Sequence, residues 1–293
     1  MATFSRHDGV LYCEEVSLEA IAATHGTPTY LYSRSAIETA FLDYRSALSD
    51  MPHLICYAVK ANSNLAILNV LAQLGAGFDV VSIGELERVV AAGGDPGKVV
   101  FSGVGKTSAE MQRALDLEIK CFNIESEAEL LTLAALASAS GRVAPISIRV
   151  NPNVDAGTHP YISTGLRENK FGVDVALARQ LYQMADEHAA LNPVGVDCHI
   201  GSQIEEVAPF VQSLECLLDL IHDLRTLGIR LHHIDLGGGL GVHYQAETPP
   251  SIHDYAAVLK ARLKDQDLEL VLEPGRSIVA EAGALITEVL YLK

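Results

Sequence analysis

Short apolar runs rich in β-branched residues recur along the chain at a steady interval, and this periodicity constrains the fold most strongly. Longer stretches with the apolar spacing of amphipathic helices separate the runs. Strands that alternate with helices form parallel sheets, because each strand needs a crossover connection before the next. Eight such units over about 240 residues predict a (β/α)8 barrel of the TIM type, which typically takes ~250 residues. The runs begin near Leu54, Phe78, Lys98, Ile119, Ala144, Gly195, Leu231 and Leu268.

An open, doubly wound sheet is the alternative arrangement of the same elements. The number of strands favours the barrel, and so do the polar residues at or near the C-terminal ends of the strands, because those ends converge on one face of a barrel, where active sites are built. The polar residues are Lys60, Asp79, Ser102, Asn123, Arg149, His199, Asp235 and Glu273. The predicted helices cover residues 33–48, 63–75, 83–93, 107–116, 126–140, 174–191, 206–227 and 252–265.

The two ends of the chain do not fit the barrel, which is predicted over residues 33–278. Residues 1–32 contain extended apolar pieces and are expected to belong to a second, β-rich domain. Residues 279–293 hold a strand-like segment, 284–292, and are expected to continue that domain, which the chain cuts short. A strand without a partner is not a stable end. Its unpaired edge predicts poor solubility.

The composition excludes several classes of protein. Hydrophobic residues make up 49% and charged residues 20% of the chain, so a sizeable core is expected rather than disorder. The net charge of −16 argues against binding to nucleic acid or to an anionic membrane. The five cysteines form no C-x-x-C pair, and no apolar segment of ~20 residues or signal peptide is evident. A cytoplasmic protein without structural disulfides is expected.

A lysine stands at the tip of the first predicted strand. Lys60 ends the apolar run 54–59 and is followed by a polar turn. The surrounding apolar residues and neighbouring cations are expected to lower its pKa, which favours the neutral amine that attacks an aldehyde. A surface lysine that packs along the strand end is the alternative. Pyridoxal 5'-phosphate (PLP) needs such an amine, together with a phosphate anchor, a partner for its pyridine nitrogen and a platform for its ring.

A run of glycines after the seventh strand supplies a candidate phosphate anchor. Gly238 and Gly239 lie in the segment 235–241, and glycines let backbone N–H groups approach an anion. Barrels often bind phosphate after strands seven and eight, although a flexible turn is the alternative. Ser202 is expected to add a hydroxyl to the phosphate. His199 is expected to lie against the pyridine ring, although a lone histidine is more often structural.

The eighth strand ends in the sequence Glu-Pro-Gly-Arg. Glu273 is expected to accept a hydrogen bond from the pyridinium N–H, which would be worth roughly 1.5–3 kcal/mol. Gly275 would bring backbone donors to the phosphate, and Arg276 would grip a substrate carboxylate. An ordinary turn with a surface ion pair is the alternative. Asp79 is a candidate to hold His199 or Lys60, and Arg149 is a further candidate for substrate binding.

Metal and nucleophile chemistry find little support in the sequence. His232 and His233 are adjacent in a predicted strand, so their side chains point to opposite faces and cannot share an ion. No serine or cysteine nucleophile motif occurs between a strand and a helix. No metal site is predicted.

Five segments together resemble the fold type III PLP-dependent decarboxylases, whose barrel is alanine racemase-like. They are 57–62, 78–82, 199–203, 237–241 and 273–276, in this order along the chain. The resemblance implies that Lys60 forms the internal aldimine and that His199 stacks on the ring. It also implies that Glu273 pairs with the pyridinium. Ser202, Gly239 and 273–276 correspond to cofactor-binding positions, and Arg276 also reaches substrate.

Within that group, the segments 159–165 and 169–172 are most similar to the diaminopimelate decarboxylases. This resemblance implies decarboxylation of meso-2,6-diaminopimelate to L-lysine and CO2, the last step of lysine biosynthesis. It also implies a homodimer with shared active sites. These two segments argue against an ornithine or arginine decarboxylase. Glu273 argues against an amino-acid racemase, because it would keep the ring nitrogen protonated.

A barrel that binds PLP but is catalytically incomplete is a further alternative. Family members carry a Cys-Glu pair, an arginine and tyrosines in a C-terminal β-domain, and these have no counterpart before Lys293. A plain α/β barrel with accidental motifs would need five matches in the right order on the same face. That reading is disfavoured.

Overall fold

The computed structural model describes residues 3–155 and 171–293, and it begins with a small antiparallel sheet. Strands β1 (Phe4–His7), β2 (Val10–Cys13) and β3 (Val16–Ser17) form this sheet in sequence order. Helix α1 (Leu18–His25) follows and leads into strand β4 (Thr29–Tyr32). None of these elements belongs to the barrel.

Eight parallel strands close into a barrel, which confirms the predicted fold class. Helix α2 (Arg34–Ala47) precedes them, as predicted. Each strand pairs with the next along the chain, and the last pairs with the first to close the ring. The barrel strands are β5 (His53–Ala58), β6 (Gly77–Val80), β7 (Val99–Phe101), β8 (Cys121–Ile124), β9 (Ala144–Arg149), β10 (Leu191–Asp197), β11 (His233–Asp235) and β12 (Glu269–Leu272).

Helices follow the barrel strands and cover their outer faces. Side chains of Ser, Thr, Asn or Asp accept a backbone N–H at the start of most of them, and each such cap contributes about 1 kcal/mol. The helices are α3 (Leu65–Gln73), α4 (Ile83–Ala91), α5 (Ser108–Asp116), α6 (Glu127–Ser140), α7 (Val175–Asp186), α8 (Ala208–Thr226), α9 (Ile252–Leu263) and α10 (Arg276–Val279). In the ranges that the structure describes, no helix has the length and apolar character needed to cross a membrane.

The sixth barrel strand begins earlier than the sequence predicts. The predicted helix 174–191 ends at Asp186, and β10 starts at Leu191 rather than near Gly195. The pairing of β10 with β9 shifts register between Pro193 and Gly195. Proline and glycine weaken the signal of a strand, because proline lacks an N–H group and glycine has no side chain to pack. The bulge therefore hid the first half of the strand from sequence analysis.

The strand after the barrel has a partner, which corrects the expectation of an unpaired end. Strand β13 (Gly283–Ile286) pairs antiparallel with β4, and the strand predicted over 284–292 stops at Ile286. The N-terminal piece supplies the missing edge, and this long-range pairing gave no local signal in the sequence. Because β13 has a partner, an unpaired strand gives no reason to expect poor solubility. The assignment of 1–32 and 279–293 to a second domain stays a prediction.

The lower barrel interior is packed from small side chains and one imidazole. Cys56, Cys121 and Val271 belong to one buried cluster. His233 lies against Gly195, whose missing side chain makes room for the ring, and its Nε2 is 3.8 Å from the Cys121 sulfur. The upper interior is polar. The barrel interior therefore has polar side chains at one end and closely packed, mostly small side chains at the other.

Replacing Gly195 with alanine should destabilise the barrel by about 1–3 kcal/mol, because overpacking forces side chains and backbone to shift. A Cβ atom there would lie 2.0 Å from His233 Nε2. The free energy of unfolding from urea denaturation measures the effect. Gly105→Ala is the matched control, because nothing lies within 4 Å of its added methyl group. Equal effects of the two substitutions would contradict the packing.

Candidate active site

The C-terminal ends of the barrel strands surround a cavity of about 630 Å³. Most of the side chains that the sequence marked as cofactor ligands line it. The two-stranded sheet of β4 and β13 forms part of the cavity wall through Tyr30, Tyr32 and Leu285. The predicted residues on its surface are Lys60, His199, Ser202, Gly238, Gly239, Glu273, Gly275 and Arg276.

Lys60 lies in the turn Val59–Ala61 that follows β5, and its side chain is 45% exposed into the cavity. Its Nζ donates a hydrogen bond to Oδ2 of Asp79, which is fully buried on the neighbouring strand β6. Asp79 therefore contacts Lys60, one of the two partners that the sequence left open. It does not line the cavity itself.

The pKa of Lys60 is raised, whereas the sequence predicted that it would be lowered. Burial lowers this pKa, as expected, but the carboxylates of Asp79 and Glu273 outweigh it. Arg149 is the neighbouring cation that acts in the expected direction. The prediction was wrong because two carboxylates from other strands raise the pKa by more than burial and the cation lower it. Lys60 is held as an ammonium group until its surroundings change.

His199 follows β10 and presents a neutral ring to the cavity. Burial lowers its pKa well below the usual value, and Arg149 and Lys60 act in the same direction. Its Nδ1 accepts a hydrogen bond from the backbone N–H of Gly238 at 3.3 Å. That contact fixes the ring against the glycine segment. A neutral, fixed imidazole is suited to lie against an aromatic cofactor.

The glycine segment after β11 can exist only without side chains. A Cβ atom at Gly238 would lie 2.3 Å from the carbonyl oxygen of Glu273. Gly239 has a φ of +112°, and a Cβ there would lie 2.6 Å from the carbonyl oxygen of Gly201. Backbone and neighbours therefore come close together here, and N–H groups without side chains form a concave site for an anion. Gly275 adds a third close approach, with its Cβ position 3.0 Å from Ala61.

Arg276 stands at the cavity wall as the first residue of α10. Its Nε and Nη2 each donate to Ser202 Oγ at 3.3 Å, and its Nη1 donates to the Tyr244 hydroxyl at 2.7 Å. The guanidinium carbon lies 5.7 Å from the centre of the Tyr244 ring. The described residues place no carboxylate in contact with Arg276. Its charge is therefore directed at the cavity, and sequence analysis missed Tyr244 as its support.

Glu273 is buried at the end of β12, and its Oε1 has no hydrogen-bond partner within the described chain. Its pKa is raised well above the ordinary value, first by burial and then by Asp235, Asp79 and Asp197. Carboxylate oxygens of Asp197, Asp235 and Glu273 all lie within 4.8 Å of one another. A buried acceptor without a donor is costly and marks a place where a ligand N–H would be bound.

Two of these three acidic residues, Asp197 and Asp235, were not predicted as site residues. Asp235 was noted only at a strand end and in the glycine segment, and Asp197 was missed. Asp197 stands two residues before His199 on an alternating strand, which is the signal that could have found it. Three such oxygens can also hold a metal ion, but the adjoining lysine and glycine segment favour an organic phosphate.

Arg149 lies behind the cavity rather than on its surface. It is 7% exposed, and its Nη1 donates to Glu125 Oε1 at 3.0 Å. Its Nε is 3.9 Å from Asp197 Oδ2, and its guanidinium carbon lies 5.0 Å from the Phe171 ring centre. The positive charge of Arg149 is therefore paired with the carboxylates of Glu125 and Asp197. The predicted contact of Arg149 with substrate therefore has no support from its position.

The segments that suggested one subgroup of decarboxylases are mostly beyond the described residues. Residues 159–165, together with Asn169 and Lys170, lie outside them. Gly172 is described, and its N–H donates to Glu125 Oε2 at 3.1 Å. Gly172 thereby bonds to the same carboxylate as Arg149.

Asp79→Asn should lower the pKa of Lys60, because burial then acts with less opposition. The amine would become neutral at lower pH and react faster with an amine-specific acylating reagent near neutral pH. Peptide mass spectrometry across a pH series measures the rate at Lys60. Asp50→Asn is the matched control, because this exposed carboxylate is the partner of the half-buried Lys260. An unchanged or upward-shifted profile for Asp79→Asn would contradict the arrangement.

The comparisons agree with this geometry. The family model described as "Pyridoxal-dependent decarboxylase, pyridoxal binding domain" matches residues 34–280. Diaminopimelate decarboxylase of Pseudomonas aeruginosa is 58% identical over 293 residues, which are 100% of this chain and 71% of the relative. Diaminopimelate decarboxylase of Vibrio cholerae is 57% identical over 289 residues, 98% of this chain and 69% of the relative.

Solved structures give the same result. The crystal structure of diaminopimelate decarboxylase from Helicobacter pylori complexed with L-lysine superposes with a TM-score of 0.92 at 49% identity. The match covers 94% of this chain and 70% of that one. Sequence, fold and site therefore agree, and this chain belongs to the diaminopimelate decarboxylases, within the pyridoxal-dependent decarboxylase family.

Proposed function

We propose that this chain is a carboxy-lyase that uses PLP to convert meso-2,6-diaminopimelate into L-lysine and CO2, the last step of lysine biosynthesis. One observation carries the proposal. An amine, Lys60, and a buried carboxyl group without a donor, Glu273, line the same cavity as a segment of obligatory glycines. The substrate is inferred from the membership of this chain in the diaminopimelate decarboxylases.

The residues present fit PLP. The backbone N–H groups around Gly238 and Gly239 would hold its phosphate, with Ser202 adding a hydroxyl. Glu273 would accept the N–H of the pyridine ring, which supplies the donor that its Oε1 lacks. His199 would lie against the ring as a neutral imidazole. Lys60 would provide the amine that binds the cofactor aldehyde.

When bound, PLP supplies an electron sink for the electron pair that remains as CO2 leaves. The chain's own residues prepare that step. Glu273 would favour the protonated form of the ring nitrogen, and its buried surroundings would make that hydrogen bond strong. Asp79 would hold the free Lys60 amine as a cation, and a proton would then be available at Nζ beside the cavity. Arg276 binds a substrate carboxylate and orients the substrate.

The substrate class follows from the charges that face the cavity. A diamino dicarboxylic acid offers a carboxylate to Arg276, whose guanidinium Ser202 and Tyr244 hold in place. Ornithine or arginine would bring a second cation without a second carboxylate. Such substrates would leave the Arg276 charge unused. The family of the chain points to the same choice.

The purified chain loaded with PLP should release CO2 from meso-2,6-diaminopimelate, and Lys60→Ala should reduce kcat/KM by at least about a thousandfold. Labelled CO2 measures the rate, and the absorbance of the bound cofactor reports binding separately. Lys264→Ala removes an exposed lysine and serves as the control. Release that does not depend on Lys60 would overturn the proposed role. An absence of both release and bound cofactor would overturn the proposed function.

We propose further that the chain forms a homodimer with shared active sites in the cytoplasm, and that residues 1–32 and 279–293 belong to a second β-domain. The pairing of β4 with β13 supports the domain assignment. Tyr30 and Leu285 support an interface, because they line the cavity yet remain 71% and 52% exposed. The cysteines are free thiols, as is usual in reducing compartments.

Sedimentation equilibrium tests the dimer. The wild-type protein should sediment with twice the mass of one chain, and Tyr30→Asp should shift the equilibrium toward one chain. Thr132→Asp places the same charge on the exposed face of α6 and should leave the mass unchanged. A single-chain mass for the wild type would contradict the dimer. An unchanged mass for Tyr30→Asp would contradict the proposed interface.

A further inference from the structure

Three carboxyl groups meet where Glu273 lines the cavity, and the proposed function uses only Glu273. Asp197, Asp235 and Glu273 are 2%, 0% and 5% exposed, and each has one oxygen without a hydrogen-bond partner in the described structure. Their oxygens lie within 4.8 Å of one another. Carboxylates without donors at this separation repel one another strongly when they are buried.

Carboxylate oxygens of Asp235 and Glu273, at the ends of the paired strands β11 and β12, lie within 4.8 Å of each other. An ionised carboxylate can only accept hydrogen bonds, so two neighbouring buried carboxyl groups can bond to each other only if one of them carries a proton. Asp235 Oδ1 already accepts the N–H of Gly237 at 2.8 Å. The other carboxyl oxygens of the pair have no backbone donor in the described chain. One proton between the two groups would supply a donor for buried carboxyl oxygens that have none in the described structure.

The charges around Asp235 make this proton necessary. Cations are fewer than carboxyl groups on the elements packed around it, and the Arg149 guanidinium already donates to Glu125. The imidazoles have lowered pKa values, to about 3 for His233, and the thiols have raised ones, so both kinds of group are neutral near pH 7. The carboxyl groups are Asp79, Glu125, Asp197, Asp235 and Glu273; the cations are Lys60 and Arg149; the neutral groups are His199, His233, Cys56 and Cys121.

We propose that Asp235 and Glu273 hold one proton between them in the cofactor-free protein and release it to solvent when the pyridinium N–H binds Glu273. Asp235 is then a positioning residue. It shares its proton with Glu273, which limits the negative charge on Glu273 until the cofactor supplies an N–H donor. The proton balance is simple, because the N–H arrives with the cofactor and the shared proton leaves. This inference rests on the proposed use of PLP.

The sign of the pH dependence follows from linkage. Burial, followed by Asp79, raises the pKa of Asp235 to about 7, although the N–H of Gly237 opposes the shift. The folded protein therefore holds a proton that the unfolded chain has already lost. The stability linked to this proton is fully present below the unfolded pKa of 3.8 and is lost as pH rises through about 7.

Asp235→Asn removes the shared proton and keeps the shape. The amide oxygen can still accept the Gly237 N–H, and the amide nitrogen donates to Glu273 at every pH. Between about pH 5 and about pH 8.5, the melting temperature of the cofactor-free wild type should fall by roughly 3–6 °C more than that of the variant. Asp223→Asn changes an exposed carboxylate and should retain the wild-type profile. Parallel profiles for the wild type and Asp235→Asn would overturn the proposal.

Calorimetry of PLP binding tests the second half of the proposal. Near pH 6, titrations in buffers with different ionisation enthalpies give the number of protons released. The wild type should release about one proton more than Asp235→Asn, because the contributions of Lys60 and of free PLP are common to both. Equal release would overturn the proposal.

The two measurements separate failure of this inference from failure of the proposed function. If neither protein binds PLP, the proposed function fails, and the melting profiles of the cofactor-free proteins still decide whether the proton exists. If Asp235→Asn does not fold, Glu273→Gln replaces it in the melting experiment, since it removes the other half of the pair. A flattened profile for that variant would support the shared proton, and a wild-type profile would overturn it.

Discussion

The pairing of the first barrel strand with the last is the constraint on which the site depends. Ile55 of β5 lies opposite Leu272 of β12, and the N–H of Ala58 donates to the carbonyl of Pro274 at 3.1 Å. These bonds bring Lys60 and Glu273 together, although more than two hundred residues of chain separate them. Every other strand of the barrel is needed to close that ring. The amine and the carboxyl group therefore meet only in the complete barrel.

Closure also concentrates negative charge where the strands converge. Lys60 is held as a cation by Asp79, and Arg149 is held by Glu125 and Asp197, so Glu273 and Asp235 share their surroundings without a cation of their own. Buried carboxyl groups without a counter-charge lower the stability of the fold, and a cationic ring that binds beside them would be stabilised by their charge. Strain of this sort is common at functional sites, where folding stability is lower so that binding can be stronger.

The fold could be predicted from periodicity alone, because each buried parallel strand is a short apolar run with its own helix. The late start predicted for β10 shows where the signal fails, at Pro193 and Gly195, where a bulge interrupts the apolar pattern. Motifs located the cavity residues, since lysine, glycines and Glu-Pro-Gly-Arg occur at strand ends. The direction of the Lys60 pKa could not be predicted, because it depends on which strands become neighbours. The hydrogen bond from Arg276 to Tyr244 could not be predicted either, because Tyr244 lies outside the helices and strands and no sequence pattern marks it.

The central claim is that PLP binds covalently to the amine at the tip of β5. Reduction of the PLP-loaded chain with borohydride fixes the cofactor to its amine, and peptide mass mapping then identifies the residue. A stoichiometric label is expected on Lys60, and none on the exposed lysines, such as Lys264. A label spread over surface lysines, or concentrated on a residue outside the cavity, would contradict it.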